Sequence, residues 1–127
     1  MEYTWRMPSD FYIMIKGDYI GKIERVKSFT EEHSFGFPWT LKFRTPPIVD
    51  FDLEEILISS TFDLYEKREV RRFNDNKNTV LYYKFSNCEL TRTYKQVSGN
   101  DDLTDFYMTI ESTSRESIAN LPEEIKE

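Results

Sequence analysis

Only one stretch of the chain spaces its apolar residues as a helix does. In VDFDLEEILISSTFDL, Leu53, Ile56, Leu57 and Leu64 form a stripe at helical spacing. Asp52 and Glu55, three apart, suit a box-like cap over the first free N–H groups, and Phe51 and Ile56 suit the hydrophobic staple across it. The spacing predicts a helix from about Leu53 to Asp63. Most of the remaining sequence alternates with period two. One helix is too little to cover two sheet faces, so the strands must cover one another. The pattern therefore predicts a mainly β chain: a β-sandwich or partly closed β-barrel with one central α-helix.

The strands are legible in order. FYIMIK and YIGKIERVKSF read as a hairpin turned at Gly17-Asp18, with glycine first as in a type II′ turn. Gly21 marks a bulge in the return strand. From Ile20 on, Ile20, Ile23, Val26 and Phe29 recur every third residue, which fits a strand covered on both faces, one by the core and one by a partner subunit. WTLKFRT alternates cleanly, with Trp39, Leu41 and Phe43 on one side. KREVRRF, the polar turn NDNKN and TVLYYKF read as a second hairpin. Leu81, Tyr83 and Phe85 share a face. A bulge or turn at Asn87 then hands the pattern to Cys88, Leu90, Arg92 and Tyr94. In DFYMTIES, Phe106, Met108 and Ile110 share a face. Residues 1–10 read as an extended arm, 11–113 as one β-rich domain, and 114–127 as a polar, acidic tail with weak order, where Pro122 suits the start of a short helix.

The composition narrows function by exclusion. A chain of 127 residues fits one domain. Its net charge of −6 disfavours sequence-specific nucleic-acid binding and anionic membrane surfaces. The start lacks the basic and apolar regions of a signal peptide, and no apolar run approaches a membrane span, so synthesis in the cytoplasm is expected. The single Cys88, in apolar company, reads as a small buried hydrophobe. His33, the one histidine, lies in a loop beside Glu31 and Glu32 without the signature of a general base. The four glycines are dispersed, so no phosphate cradle is encoded. Asp50, Asp52, Glu54 and Glu55 suit a helix start better than a cation. No catalytic set, cofactor site or metal site is expected. The basic cluster Lys67, Arg68, Arg71 and Arg72 places Lys67, Glu69 and Arg71 on one strand face and Arg68, Val70 and Arg72 on the other. Its plain reading is a solvated or edge strand.

The element order resembles the tail-tube superfamily: tube proteins of tailed phages and phage-derived particles, and Hcp of type VI secretion systems. FYIMIKGDYIGKIERVKSFTEE is similar to that family's early strand, glycine turn, second strand and charged run. DLEEILISSTF is similar to its single central helix. TVLYYKFSNCELTRTYKQVSGNDDLTDFYMTI is similar to its long strand, acidic loop and final alternating strand. Together these cover most of residues 11–111. The resemblance implies a small barrel that forms hexameric rings, rings that stack into a tube, and other tail or baseplate proteins as partners, in a virion tail or secretion-type particle. The arm MEYTWRMPSD and the tail after Thr113 are not obvious features of the family, which leaves open a tube-initiator or baseplate component rather than the main tube subunit. On this reading Trp5, Ile23, Val26 and Arg71 are expected at the subunit interface, and Lys67, Arg68, Arg71 and Arg72 at a charged lumen or ring surface. The alternative is a small acidic binding module or inhibitor that covers a basic site on a partner protein.

Overall fold

The computed structural model describes residues 4–6, 9–23, 25–46, 51–72, 78–97, 99 and 103–125, with the backbone alone at 4–6, 51–52, 71–72, 78 and 103–104. These residues form β1 (Thr4–Arg6), β2 (Asp10–Ile15), β3 (Asp18–Ile23), β4 (Ser28–Glu32), β5 (Trp39–Thr45), α1 (Phe51–Ser59), β6 (Phe62–Arg72), β7 (Asn78–Val97), β8 (Leu103–Ser112) and β9 (Ser114–Ile118). Every pairing is antiparallel, in the order β3-β2-β6-β7-β8-β5-β4, with β1 also on β6 and β9 also on β7. The chain is mainly β with one short helix, as its alternation predicts. No described pairing joins β3 to β4, so the sheet does not close into a barrel.

The architecture turns on β7, which runs for 20 residues. Tyr82 faces Ile118 and Glu89 faces Glu111, so β8 and β9 follow β7 as one line of chain broken at Thr113. The first half of β7 lies between β6 and β9 in one layer. The second half pairs with β8 in the other layer. The bend between layers is built by Asn87, whose φ is +50°. Polar groups hold it: the Thr113 N–H donates to the Ser86 carbonyl at 3.1 Å, and the Asn87 N–H donates to Asp63 Oδ1 at 3.2 Å. The irregularity expected at Asn87 is present. A further slip between Leu90 and Arg92 then reverses the alternation, because Leu90 faces Ile110 while Arg92 faces Thr109. Arg92 and Tyr94 consequently lie on the outer face, not on the face of Cys88 and Leu90 as the sequence suggested.

Between the layers lies an apolar core. Phe11, Ile13, Leu64 and Phe85 come from the first layer, Leu41, Phe43, Phe106, Met108 and Ile110 from the second, and Leu57 from α1. Phe11 packs edge-on to Phe43 with centroids 4.8 Å apart, and Phe29 lies 4.7 Å from Phe11 and 5.0 Å from Phe43. Each such pair contributes about 0.5–1.5 kcal/mol beyond its buried area.

Several local expectations change for physical reasons. The first hairpin turns at Lys16-Gly17, with φ of +50° and +85°, which is a type I′ turn rather than II′. Its bulge is where Gly21 placed it: Ile13 faces Gly21 while Met14 faces Tyr19, leaving Ile20 as the extra residue. The three-residue period beyond it is not one doubly covered strand. It is the end of β3, a corner in which Arg25 has a φ of +49°, and the start of β4 in the other layer. Ile23, Val26 and Phe29 all reach the same core from successive elements. The helix ends at Ser59, and Leu64 belongs to β6, where Phe62 faces Cys88 and Leu64 faces Phe85. Strand pairing claims this segment from the helix. The expected cap at Phe51 and Asp52 and the NDNKN turn over 74–78 fall on side chains or residues outside those described.

The C-terminal segment overturns the expectation of weak order. β9 pairs with β7, and Ile118, Leu121 and Ile125 pack on Tyr12, Met14 and Tyr65 across the outer face of the first layer. The Ile125 N–H closes on the Pro122 carbonyl at 3.1 Å, a turn where a short helix was expected. A strand buried on both faces does exist, but it is β2, and its second cover comes from this same chain.

Candidate functional site

Moving along β6, the inward positions run Phe62, Leu64, Glu66, Arg68. The alternation that buries the first two also draws the last two between the layers. Glu66 is 0% exposed. Its Oε2 accepts from Ser9 Oγ at 2.6 Å and from Arg68 Nε at 3.0 Å, and its Oε1 accepts from Arg68 Nη2 at 2.8 Å. Arg68 Nη2 also donates to Glu31 Oε1 on β4 at 3.0 Å, which ties the two layers together. Burial alone would lower the Arg68 pKa. The Glu66 and Glu31 carboxylates outweigh it and hold the guanidinium charged, above its usual value.

Arg115 of β9 completes the cluster. Its Nε lies 3.6 Å from Glu31 Oε2, beyond hydrogen-bond range, and both atoms are buried without a hydrogen-bond partner. The guanidinium instead stacks over Tyr83 at 4.0 Å and Trp39 at 5.1 Å, while Arg68 covers Tyr83 at 4.7 Å. Trp39 in turn stacks on His33, with centroids 4.2 Å apart and planes 4° off parallel. A ladder of rings and guanidinium groups thus runs from the interior to the base of the β4–β5 loop. Two carboxylates facing two arginines suit a fixed joint between layers better than proton transfer.

The loop on that ladder projects two phenylalanines. The Phe37 N–H donates to the Ser34 carbonyl at 3.0 Å, and Gly36 has a φ of +85°, as the third residue of a type II turn requires. Phe35 is 99% exposed and Phe37 69%.

The opposite end of the second layer carries another ionic group. Asp105, buried, accepts from Lys27 Nζ at 2.6 Å and from Arg44 Nη2 at 2.9 Å. These two hydrogen bonds, Lys27 first, hold its carboxyl below the usual carboxylate range. The same bond, with the Asp105 charge, raises Arg44. Beside it Tyr107 lies 5.7 Å from Tyr94, and Tyr107 Oη lies 3.1 Å from Gln96 Oε1, to which it donates. Tyr94 is 61% exposed and Val97 52%. The α1 residue Glu54 reaches Lys95 at 3.5 Å.

Elsewhere, Lys16, Thr61, Phe62, Asp63 and Asn87 line an open cleft of about 220 Å³ at the bend. Its Asp63 already accepts the Asn87 N–H. Cys88 is buried, and burial pushes its thiol up to about 12, which suits packing rather than chemistry. Among the described residues no three His, Cys, Asp or Glu side chains gather as a metal site, and no helix is long and apolar enough to cross a membrane.

The positions named from sequence scatter. Ile23 lies in the core at 5% exposure and Val26 packs against that core, so their side chains are occupied within the chain. Their three-residue period comes from the corner between layers. Arg68 turns inward to Glu66 and Glu31 instead of towards a lumen, while Lys67 on the next position of β6 is partly buried. Trp5 faces Arg71 across the β1–β6 pairing. The side chains of Trp5, Arg71 and Arg72 lie outside those described. The sequence reading missed Glu66, Arg115, Phe35, Phe37 and Val97 as notable positions. The signal for Glu66 was present in the Phe62-Leu64-Glu66-Arg68 series, and that for the phenylalanines in an aromatic pair around a turn glycine. No family model matches the chain, and no curated protein is significantly similar to it.

Proposed function

We propose that this protein is a non-catalytic structural subunit that assembles with copies of itself, of the kind that forms stacked hexameric rings in a phage-tail-like or secretion tube, either as a tube protein or as a tube-initiator or baseplate component. The observation that carries the self-assembly reading is the second half of β7. Among the described residues it is the outer strand of its layer, and every residue from Thr91 to Val97 is exposed, including Tyr94 and Val97. An exposed outer strand with large apolar side chains is a template for association with another chain. The ring symmetry, the tube and the tail or baseplate partners rest on the element-order resemblance.

The test is solution mass by light scattering over a concentration series, with negative-stain images of the same sample. Growth in mass with concentration and six-fold rings or tubes are expected. A monomer at every concentration overturns the self-assembly reading and favours an acidic module that binds a basic partner.

A further inference from the structure

The outer face of the second layer is polarised along its strands. Residues directly opposite in an antiparallel sheet share a face. Glu32 faces Thr40, Thr40 faces Glu111, and Glu111 faces Glu89, so three acids stand in one row at the end where the Phe35-Gly36-Phe37 turn projects. Glu32 is partly neutralised by Lys42 at 3.5 Å. Glu89 and Glu111 are like charges directly opposite, an arrangement that costs free energy unless a cation approaches. Thr40 and Arg44 mark the two ends of this face on β5, roughly 14 Å apart along an extended strand. At the far end Arg44 faces Tyr107 and Tyr107 faces Tyr94, one step beyond Arg92. One end thus offers two exposed phenylalanines backed by acids. The other offers exposed tyrosine backed by Arg92 and by Arg44, which shares Asp105 with Lys27 and leaves that group net positive.

We propose that copies of this chain join head to tail, the Phe35-Gly36-Phe37 turn of one seating on the Tyr94 and Val97 end of the next, with Glu89 and Glu111 answered by Arg92 and by the net positive charge of the Lys27, Arg44 and Asp105 group. The occupant is a second copy because the two ends complement each other in both charge and apolar character. The turn is preformed by its hydrogen bond and by the His33–Trp39 stack beneath it, so little ordering opposes docking. Such a contact is heterologous, the type that closes into rings or extends into filaments according to its rotation. The inference rests on the self-assembly reading and names the surface that would serve it.

The experiment uses two double variants of the full chain, Phe35→Ser with Phe37→Ser, and Tyr94→Ser with Arg92→Glu, each checked for a wild-type melting curve. Alone, each is expected to lose concentration-dependent mass, its dissociation constant weakened at least tenfold. Mixed, the intact far end of the first and the intact turn of the second are expected to pair one to one, with no growth beyond the dimer. A wild-type chain that assembles while either variant alone assembles equally well overturns this contact and leaves self-assembly standing. Failure of the mixed variants to pair also overturns it. A wild-type chain monomeric throughout removes both inferences together.

Discussion

The two halves of β7 belong to one strand, yet they meet opposite fates. From Leu81 to Cys88 the strand pairs with β6, and from Tyr82 to Ser86 with β9 as well, and its inward side chains Phe85 and Cys88 are wholly buried. From Thr91 to Val97 it pairs with β8 and is exposed on both faces. Composition already leans the same way, with Leu81, Tyr82, Tyr83, Phe85 and Cys88 in the first half against Tyr94 and Val97 in the second. What separates them further is the number of neighbouring strands and the presence of a facing layer. The first half contributes to the core, and the second is the exposed surface on which the proposal of self-assembly rests.

The largest break in this contrast is expected from the buried half. Phe85→Ala removes a ring at the centre of the core and should cost about 3–5 kcal/mol, read as a fall in the denaturation midpoint. Glu66→Ala should cost a similar amount, about 3–5 kcal/mol, because it strands the mostly buried Arg68 without its principal partner. If either variant unfolds at the wild-type denaturant concentration, the picture of a stability-bearing half is wrong.

A smaller, pH-dependent effect is expected at the far end. Asp105 ionises at lower pH in the folded chain than in the unfolded one, because Lys27 and Arg44 hold its charged form. Its bonds therefore add stability above the unfolded value, about 3.9, and that stability is lost as pH falls through the lower folded value. Asp105→Asn should melt below wild type at neutral pH, and the two curves should converge in acid. A difference that stays constant from pH 7 to pH 2.5 would remove the ionic account.

The smallest effect on folding is expected in the exposed half. Tyr94→Ser should change the stability of the dilute chain by no more than about 0.5 kcal/mol, since the side chain is largely in water. Its effect should appear instead in the concentration dependence of mass. Loss of stability without loss of association would exchange the roles assigned to the two halves.

Much of the fold follows from short-range pattern. The alternation in WTLKFRT and DFYMTIES places Leu41, Phe43, Phe106, Met108 and Ile110 in the core as observed. Gly21 lies at the bulge and Asn87 at the bend. These features are local: pleat, period and backbone freedom act over a few residues. The candidate site was far less legible. Glu66, two residues from Arg68, could have been read from the alternation, but Glu31, which joins them from the other layer, is 37 positions from Arg68, and no local pattern encodes that meeting.

The sequence by itself thus determined a mainly β chain with one helix, its principal strands and its buried apolar sides. Tertiary structure alone decided that FDLY joins β6 instead of the helix, and that the C-terminal segment covers Tyr12 and Met14. It also decided that Glu66 and Arg68 become interior, and that β7 ends in the open. The physical reason is one of range. A side chain's preference for water or apolar company acts locally, but whether water is present depends on chain segments brought from far along the sequence.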